Sequence, residues 1–314
     1  MQILSLPDMT PVPRVLPGGV WVLGFFDGVH AGHQKLLSSA CALAARNGRP
    51  DGVGVWTFSS LPKAKELLTD PAERSALLGQ YGVKQLALTA FEEVSHLSGE
   101  AFFREVLLEK FAPSAIVCGF NFRFGHGGES SAADLLRWGE ESGVQVQIVP
   151  PCEADGRPVS STWIRNLVRE GNTAGAMRLL TRPYSITGVV EHGKALGRKL
   201  GFPTANIRLP VGKAAPAPGV YACMAGFTGK DGIRRKKPGV CNIGYRPTVN
   251  GDREDITVET WILDFMGDLY GLPMEIFLYE KLRDERRFDT LESLTAQVLE
   301  DGARVRAMFP EVSG

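Results

Sequence analysis

No hydrophobic run in the sequence is long enough to cross a membrane, and neither sign of charge is in excess. Apolar stretches all stop short of the roughly 18 residues that a membrane-spanning helix needs, and the first ten residues lack the pattern of a secretion signal. Lysine plus arginine and aspartate plus glutamate number 35 each among the 314 residues. We therefore expect no membrane insertion and no binding of nucleic acid, because nucleic-acid binding generally needs a positively charged surface.

Cysteine is scarce and shows no pairing pattern. The five cysteines are odd in number and form no Cys-x-x-Cys pair, whereas disulfide frameworks and zinc sites show even or closely spaced cysteines. We expect a cytoplasmic protein with buried free thiols at Cys41, Cys118, Cys152, Cys223 and Cys241.

Two common nucleotide-binding motifs are also missing. The sequence has no Gly-x-x-x-x-Gly-Lys-Ser/Thr loop, and no Gly-x-Gly-x-x-Gly follows a predicted strand.

The length and the ordinary hydrophobic content of 44% predict two globular domains without repeats.

The first 180 residues alternate strand and helix patterns. Residues 20–26 form a continuous apolar run, which is typical of a strand covered on both faces. An apolar stripe at helical spacing follows over residues 33–47, and Asp70-Pro71-Ala72-Glu73 predicts a capped helix start. This alternation predicts an α/β domain over residues 1–183 with a mostly parallel, doubly wound sheet. The other predicted strands are residues 53–58, 84–89, 115–118 and 144–149, and the other predicted helices lie near residues 102–111, 134–141 and 161–180.

Residues 184–314 show a different pattern. Short β-rich segments separated by glycine and proline predict a small antiparallel barrel or sandwich, followed by one C-terminal helix. The basic run 234–237 is interpreted as a solvated hairpin tip. The predicted strands are residues 185–191, 220–227, 239–243, 257–264 and 273–278.

The densest polar cluster is the segment 24–33, Gly-Phe-Phe-Asp-Gly-Val-His-Ala-Gly-His. It lies where a predicted strand ends and a helix begins, which is where ligands bind in open α/β sheets. The free N–H groups of a helix start suit phosphate, and His30 and His33 are spaced to point the same way and stabilise charge there. We interpret the segment as a phosphate site rather than a loop whose histidines only cap a helix.

The corresponding signal of the second half is the segment 193–206. Three glycines and basic residues precede Pro203, and Thr204 and Asn206 would share one side of an extended loop. Such oxygen donors suit Mg²⁺ together with phosphate oxygens. Taken alone, a glycine-rich barrel loop is the simpler interpretation.

Residues 26–33 resemble the HxGH signature of nucleotidyltransferases, in the form found in prokaryotic bifunctional riboflavin kinase/FAD synthetases. Gly-Phe-Asn-Phe-Arg-Phe-Gly at 119–125 and Ser-Ser-Thr-Trp-Ile-Arg at 160–165 resemble two further motifs of that family. Gly-Phe-Pro-Thr-Ala-Asn at 201–206 resembles the PTAN motif of its kinase domain. Similar segments continue in family order to about residue 290, at 219–221, 242–248, 259–265, 269–271 and 282–288.

For residues 1–183 the resemblance implies a Rossmann-like nucleotidyltransferase domain, in which ATP and FMN give FAD and pyrophosphate. His30 and His33 would be catalytic residues that hold the ATP phosphates. The other nucleotide-binding residues that it implies are Gly24, Phe26, Asp27, Gly28, Asn121, Ser161, Thr162 and Arg165.

For residues 184–314 the resemblance implies a β-barrel riboflavin kinase domain that uses ATP and Mg²⁺. Glu259 would be the general base for the ribityl hydroxyl, and Thr204 and Asn206 would hold the metal. The nucleotide-binding residues that it implies are Gly193, Lys194, Gly201, Pro203, Thr204 and Asn206, and the flavin-binding residues are Asn242, Arg246, Arg283 and Phe288.

Two positions depart from the family pattern. The family usually has Phe-Asp-Pro-His-Pro where residues 58–62 read Phe-Ser-Ser-Leu-Pro, so an acid and an imidazole are absent. A second arginine is also common at the position of Trp163, whose ring could lie in the core or stack on a substrate. These losses leave two alternatives to a bifunctional enzyme: a riboflavin kinase with an inactive adenylyl domain, and a non-catalytic flavin or nucleotide sensor.

The prediction that best fits all the motifs is a bifunctional enzyme of flavin biosynthesis, with riboflavin, FMN and ATP as substrates. The presence of Thr204, Asn206 and Glu259 argues against a non-catalytic sensor, because a sensor needs no general base. We expect a monomer or a weak homo-oligomer.

Overall fold

The computed structural model describes residues 1–5, 17–59, 66–193, 197, 200–246 and 255–310, without the side chains of residues 4, 5, 246 and 255. The chain divides into two compact units, Met1–Ser161 and Thr162–Gly314. No helix among these residues is long and apolar enough to span a bilayer. The five cysteines are free thiols, as predicted, but Cys41 and Cys152 are only half-buried.

A six-stranded, wholly parallel sheet forms the centre of the first unit, in the order β1-β4-β3-β2-β5-β8. This arrangement confirms the predicted α/β fold. The sheet strands are β1 (Gln2–Ser5), β2 (Val20–Leu23), β3 (Val53–Phe58), β4 (Gln85–Thr89), β5 (Ala115–Gly119) and β8 (Gln145–Val149), while β6 (Arg123–Phe124) pairs with β7 (Ser130–Ser131) and β9 (Glu153–Ala154) with β10 (Arg157–Pro158).

Both faces of this sheet are covered, as the continuous apolar run of β2 predicts. Val20 and Val22 belong to the core on the face that contains α1, and Trp21 and Leu23 belong to the core on the other face. The helices among the described residues are α1 (Ala31–Arg46), α2 (Pro71–Gln80), α3 (Phe91–Val94), α4 (Gly99–Ala101), α5 (Glu109–Phe111), α6 (Ala132–Ser142), α7 (Ser161–Arg169), α8 (Thr173–Leu180) and α9 (Leu291–Met308), with π-helical turns at Phe102–Leu108 and a 3₁₀ turn at His126–Gly128.

The predicted start of α2 is confirmed in detail. Asp70 is the N-cap and Pro71 the first helical residue. The Asp70 carboxylate accepts a hydrogen bond from the Glu73 amide (2.8 Å), and the Glu73 carboxylate accepts one from the Asp70 amide (3.0 Å). This reciprocal capping box fixes where α2 begins.

An antiparallel sheet in the order β11-β16-β13-β14-β15-β12 forms the second unit and confirms the predicted fold. An isolated bridge between Glu191 and Asn206 joins the two edges, so the sheet curls on itself as in a barrel. Helix α8 packs against β16 and β11. The strands are β11 (Tyr184–Val189), β12 (Thr204–Arg208), β13 (Gly219–Thr228), β14 (Arg234–Arg246), β15 (Asp255–Ile262) and β16 (Pro273–Arg283).

Three segments differ from the sequence-based expectation. Thr204–Arg208 is strand β12 rather than a loop, because its backbone pairs with β15. The predicted hairpin is present, but the basic run 234–237 forms the paired start of β14 directly after the turn rather than the tip itself. Strand β2 ends at Leu23, before the apolar run does, and Phe26 then takes a left-handed conformation with φ +59°.

Candidate active sites

The first candidate site is the histidine loop, Gly24–His33, between the carboxyl end of β2 and the first turn of α1. Phe26 and Val29 have φ values of +59° and +40°. A bulky or β-branched residue in this region is strained. The loop therefore needs contacts from elsewhere to hold its shape.

Those contacts come from the segment that leads into α2. The Asp27 carboxylate, which is 1% exposed, accepts hydrogen bonds from the backbone amides of Leu68 (2.7 Å) and Thr69 (3.1 Å). The Thr69 hydroxyl in turn accepts one from the Gly28 amide (3.0 Å). Asp27 thus has a structural task within the loop, beside the nucleotide contact that the resemblance implies.

The two histidines lie together at the start of α1. Their rings stack, with centroids 3.7 Å apart and planes 18° apart. His30 is the N-cap of α1, and its Nδ1 accepts a hydrogen bond from the His33 amide (3.4 Å). Because a helix start also presents backbone N–H groups, imidazole and amide donors meet here in one place, which suits a phosphate group.

Gly32 leaves room for this close packing. A Cβ atom at this residue would lie 3.1 Å from Cε1 and 3.2 Å from Nδ1 of the His30 ring. Such distances are shorter than ordinary van der Waals contacts, so a side chain at position 32 would displace the imidazole. The glycine of the motif thus allows the histidine to take its place.

Two other predicted residues of this unit can be located. The Ser161 hydroxyl donates a hydrogen bond to the Asp27 carbonyl (2.9 Å), which brings it to the histidine loop across 134 positions of sequence. Asn121 is exposed just beyond the carboxyl end of β5, the strand next to β2. Thr162 and Arg165, which hydrogen-bond to each other at 3.1 Å, belong to the second unit.

The remaining residues in and beside the loop make contacts within the unit. Phe26 is fully buried, with its ring centroid 5.0 Å from that of His33. The Gly24 amide donates to the Trp56 carbonyl (3.3 Å), which continues the β2–β3 pairing. Of the segment that departs from the family pattern, Phe58 and Ser59 end β3, and residues 60–62 lie outside the described residues.

The second candidate site is a row of side chains across the antiparallel sheet. Glu259 on β15 is paired directly with Asn206 on β12 and with Asn242 on β14. The row continues because Asn242 pairs with Val220 on β13, and Val220 pairs with Arg283 on β16. Residues directly opposite one another on paired strands project to the same face, about 5 Å apart. Five strands thus place one carboxylate, two amides and one guanidinium in line.

This row lines a cavity of about 320 Å³. Most of the predicted residues of the second unit meet there, and the apolar wall contains Leu200, Phe202, Trp261 and Leu294. A mostly apolar cavity with a few fixed polar groups is typical of a small-molecule site. The predicted residues that line it are Thr204, Asn206, Asn242, Glu259, Arg283 and Phe288.

Thr204 and Asn206 also line a second, smaller cavity of about 50 Å³, together with Gly193 and Pro203. Their side chains are linked, since the Asn206 Nδ2 group donates to the Thr204 carbonyl and hydroxyl oxygens (both 3.4 Å). Gly193 approaches them so closely that a Cβ atom there would lie 2.5 Å from Asn206 Nδ2. The two predicted metal-binding residues therefore stand between two cavities.

Asn206 fits the role of a metal ligand. Its Oδ1 atom is buried and has no hydrogen-bond partner among the described residues. A buried acceptor without a partner is costly, and it can be satisfied by a hard cation such as Mg²⁺, which prefers oxygen ligands.

Arg283 is held firmly at the far end of the row. Its guanidinium donates to both carboxylate oxygens of Asp301, at 2.8–3.3 Å, and Asp301 is fully buried. The Phe288 ring lies 5.8 Å from the same guanidinium. Asn242 is fixed too, because its Nδ2 group donates to Glu285 Oε1 (3.0 Å).

Gly201 lines neither cavity. Gly201 takes a left-handed conformation, with φ +90°, in the turn before β12. Lys194 and the side chain of Arg246 lie outside the described residues, so their placement stays a prediction.

Sequence patterns missed several residues that build these sites. Thr57, Thr69, Arg74 and Asp301 hold site residues from distant positions. Thr57 lies in a strand, Arg74 and Asp301 lie in helices, and Thr69 lies in the segment before α2. Of these four residues, only Arg74 could have been noticed in the sequence. A cation in the first turn of a helix opposes the helix dipole, so its presence there is unusual.

Comparisons with known proteins match both halves of the chain. A family model described as FAD synthetase matches residues 13–163, and one described as riboflavin kinase matches residues 180–309. The chain is similar to proteins named bifunctional riboflavin kinase/FMN adenylyltransferase. It is 35% identical to that of Pseudomonas fluorescens over 98% of both chains, and 35% identical to that of Escherichia coli over 98% of this chain and 97% of the relative. The Bacillus subtilis protein is 33% identical over 90% of both chains.

A solved structure is similar along the whole chain as well. It is a crystal structure described as a macrolide-efflux protein from Streptococcus pneumoniae, with a TM-score of 0.87 and 31% sequence identity. The similarity covers 98% of this chain and 99% of that chain.

Proposed function

The chain belongs to the family of bifunctional riboflavin kinase/FMN adenylyltransferases, and we propose that each of its two candidate sites carries one of the two reactions. The protein phosphorylates riboflavin to FMN with ATP, and it transfers AMP from ATP to FMN to give FAD and pyrophosphate. The observation that carries this function is the nearly full-length similarity, which covers both halves in order. We place the boundary between the activities near residue 183.

Riboflavin phosphorylation is assigned to the cavity of the second unit. Glu259 would accept the proton of the ribityl 5′-hydroxyl while the γ-phosphoryl group of ATP moves to that oxygen and ADP leaves. The pairing of Glu259 with Asn206 and Asn242 supports this role, because it puts the carboxylate between a candidate metal ligand and a candidate flavin contact. Asn242, Arg246, Arg283 and Phe288 are proposed to bind the flavin.

Thr204 and Asn206 are proposed to hold Mg²⁺ together with the ATP phosphates. The metal would neutralise charge on the transferred phosphoryl group. The partnerless Oδ1 atom of Asn206 supports the assignment. Gly193, Lys194, Gly201 and Pro203 are proposed to complete the nucleotide site.

FMN adenylylation is assigned to the histidine loop. His30 and His33 would donate hydrogen bonds to the triphosphate and stabilise the charge that develops as the FMN phosphate attacks the α-phosphate. The stacked rings at the start of α1 support this role. The other residues proposed for this nucleotide are Gly24, Phe26, Asp27, Gly28, Asn121, Ser161, Thr162 and Arg165.

FMN adenylylation is the reaction that most needs a direct measurement. The segment near Ser59 lacks the acid and the imidazole of the family motif, and position 163 has a tryptophan in place of an arginine. Purified full-length protein is given ATP and Mg²⁺, with riboflavin in one tube and FMN in another, and the flavins are separated by chromatography. We expect FMN in the first tube and FAD in both. FMN without FAD would indicate a kinase with an inactive adenylyl domain, and no turnover would indicate a sensor.

Two further expectations concern the protein in the cell. We propose that it is cytoplasmic, because five free cysteines suit a reducing compartment. We also propose a monomer or a weak homo-oligomer, which sedimentation velocity would test.

A further inference from the structure

Arg74 is a fully buried arginine at the start of α2. It lies four residues after the N-cap, where the positive end of the helix dipole disfavours a cation. Burial lowers the pKa of Arg74, while the carboxylates of Asp27 and Asp70 act in the opposite direction. A charge in so unfavourable a place is retained only if its contacts offset the cost.

Those contacts all lie at the carboxyl ends of β2 and β3. Nη1 of Arg74 donates to the Phe25 carbonyl (3.0 Å), and Nη2 donates to the carbonyls of Phe58 (2.9 Å) and Ser59 (3.3 Å). The guanidinium also lies 4.8 Å from the centre of the Phe25 ring. One side chain thus ties the histidine loop to the segment that departs from the family pattern.

The Phe25 carbonyl is the point where the loop leaves the sheet. It accepts a second hydrogen bond, from the Thr57 hydroxyl (2.9 Å). The next residue, Phe26, has the left-handed φ of +59°, and its ring packs against His33. The two hydrogen bonds to this carbonyl therefore fix the orientation of the peptide plane between Phe25 and Phe26. That orientation sets the direction of the chain into the strained loop that contains the two histidines.

We propose that Arg74 is a positioning residue for adenylyl transfer: it holds the Phe25 carbonyl and thereby sets the orientation of His30 and His33. Arg74 does not touch substrate in this scheme. The inference rests on the proposed assignment of adenylyl transfer to the histidine loop. It explains why a buried cation is kept at a helix start, and it identifies a residue that no motif contains.

The test uses full-length Arg74→Met, which keeps an apolar stem and removes the three hydrogen bonds. Misplacing a catalytic group by about 1 Å can cost 10²-fold in rate, so kcat for FMN adenylylation should fall roughly 10²-fold. KM for ATP should change less than about threefold, because the helix amides that bind the ground-state triphosphate remain. Riboflavin phosphorylation in the same preparation should be unchanged.

Arg74→Lys should recover part of the lost kcat, since lysine keeps the charge but cannot reach several carbonyls with one planar group. Arg104→Met serves as the matched control, because Arg104 is an exposed arginine of the same unit that pairs with Glu100 on the surface. Wild-type kcat in Arg74→Met would overturn the proposal. In a variant that folds, an equal fall in both activities would overturn it too, because a residue that positions only the histidine loop should not slow riboflavin phosphorylation.

Thr57→Val provides a second test if Arg74→Met does not fold. It removes the other donor to the same carbonyl, so kcat should fall about tenfold at an unchanged KM, and full activity would contradict the proposal. The two substitutions should not be additive, since they act on one acceptor. His33→Ala distinguishes a failure of the site assignment from a failure of the role of Arg74. If His33→Ala retains FAD production, the assignment of adenylyl transfer to the histidine loop fails. If His33→Ala is inactive while Arg74→Met is fully active, only the role of Arg74 is refuted.

Discussion

The two candidate sites are built in opposite ways. The histidine loop is irregular backbone, with Phe26, Gly28 and Val29 in the left-handed region. It is held by side chains and amides from β3, from the segment before α2 and from α2 itself. The polar row of the second unit stands on five paired strands, and its geometry follows from their register. The comparison teaches that the loop site should be sensitive to distant anchors, whereas the sheet site should respond mainly to the side chains in the row.

The largest effect should come from Glu259→Gln in the sheet site. Loss of a general base typically costs 10²–10⁴-fold in rate, so riboflavin phosphorylation should fall by roughly that factor while FMN adenylylation is retained. Rates of both reactions measured on one preparation check this. Glu280→Gln, an exposed glutamate of β16, is the matched control. Loss of both activities in Glu259→Gln would refute the assignment to separate sites.

Asp301→Ala tests a distant anchor of the sheet site. It leaves the largely buried guanidinium of Arg283 without its carboxylate, which should cost about 3 kcal/mol of stability, the lower end of the range for a broken buried pair. Native-state hydrogen exchange should rise in α9 and β16 and stay unchanged in β2 and β5.

A double variant shows whether the unpaired charge causes that loss. Replacing both partners, with Arg283→Met and Asp301→Leu, should restore most of the stability, because a buried ion pair can be replaced by apolar residues at little cost. If Asp301→Ala alone leaves exchange in α9 unchanged, the pair does not stabilise this unit.

His33→Ala should affect the loop site alone. Removing one donor to a developing charge typically costs 10²–10³-fold in rate, so FAD production should fall by roughly that factor and riboflavin phosphorylation should not. His96→Ala, an exposed histidine of the same unit, controls for loss of an imidazole as such. Normal FAD production by His33→Ala would remove this histidine from the mechanism.

The smallest effect should come from the helix caps. Asp70→Ala and Thr290→Ala each remove an N-cap hydrogen bond, of α2 and of α9, and each should cost about 1 kcal/mol of stability. Asp70→Ala should also lower FAD production a few-fold, because α2 carries Arg74, whereas Thr290→Ala should leave both rates unchanged. Equal rates in the two variants would show that the loop does not depend on its anchors.

Much of the fold followed from local patterns. The apolar run that contains β2, the stripe of α1 and the capping box of α2 are encoded within short segments, so their positions were predicted within a few residues. Strand β12 was missed, because its sequence Thr-Ala-Asn-Ile-Arg has no clear apolar alternation and becomes a strand only by pairing with β15.

The candidate sites, like the fold, could be predicted only in part from the sequence. The sequence motifs pointed to His30, His33, Thr204, Asn206 and Glu259, because these residue types carry the chemistry themselves. They gave no indication of the anchors, since Thr57, Thr69 and Asp301 act through the backbone or through another side chain. A hydroxyl or a carboxylate in such a role looks like any other in the sequence.

By itself, the sequence determined the two fold classes, the order of the motifs and the chemical groups available at each site. Only the tertiary structure decided that Asn206, Glu259 and Asn242 stand in one row, and that Arg74, Thr57 and Ser161 meet the histidine loop. The physical reason is that periodicity and capping depend on neighbours within a few residues. Strand register and loop anchoring depend instead on contacts between segments far apart in the chain.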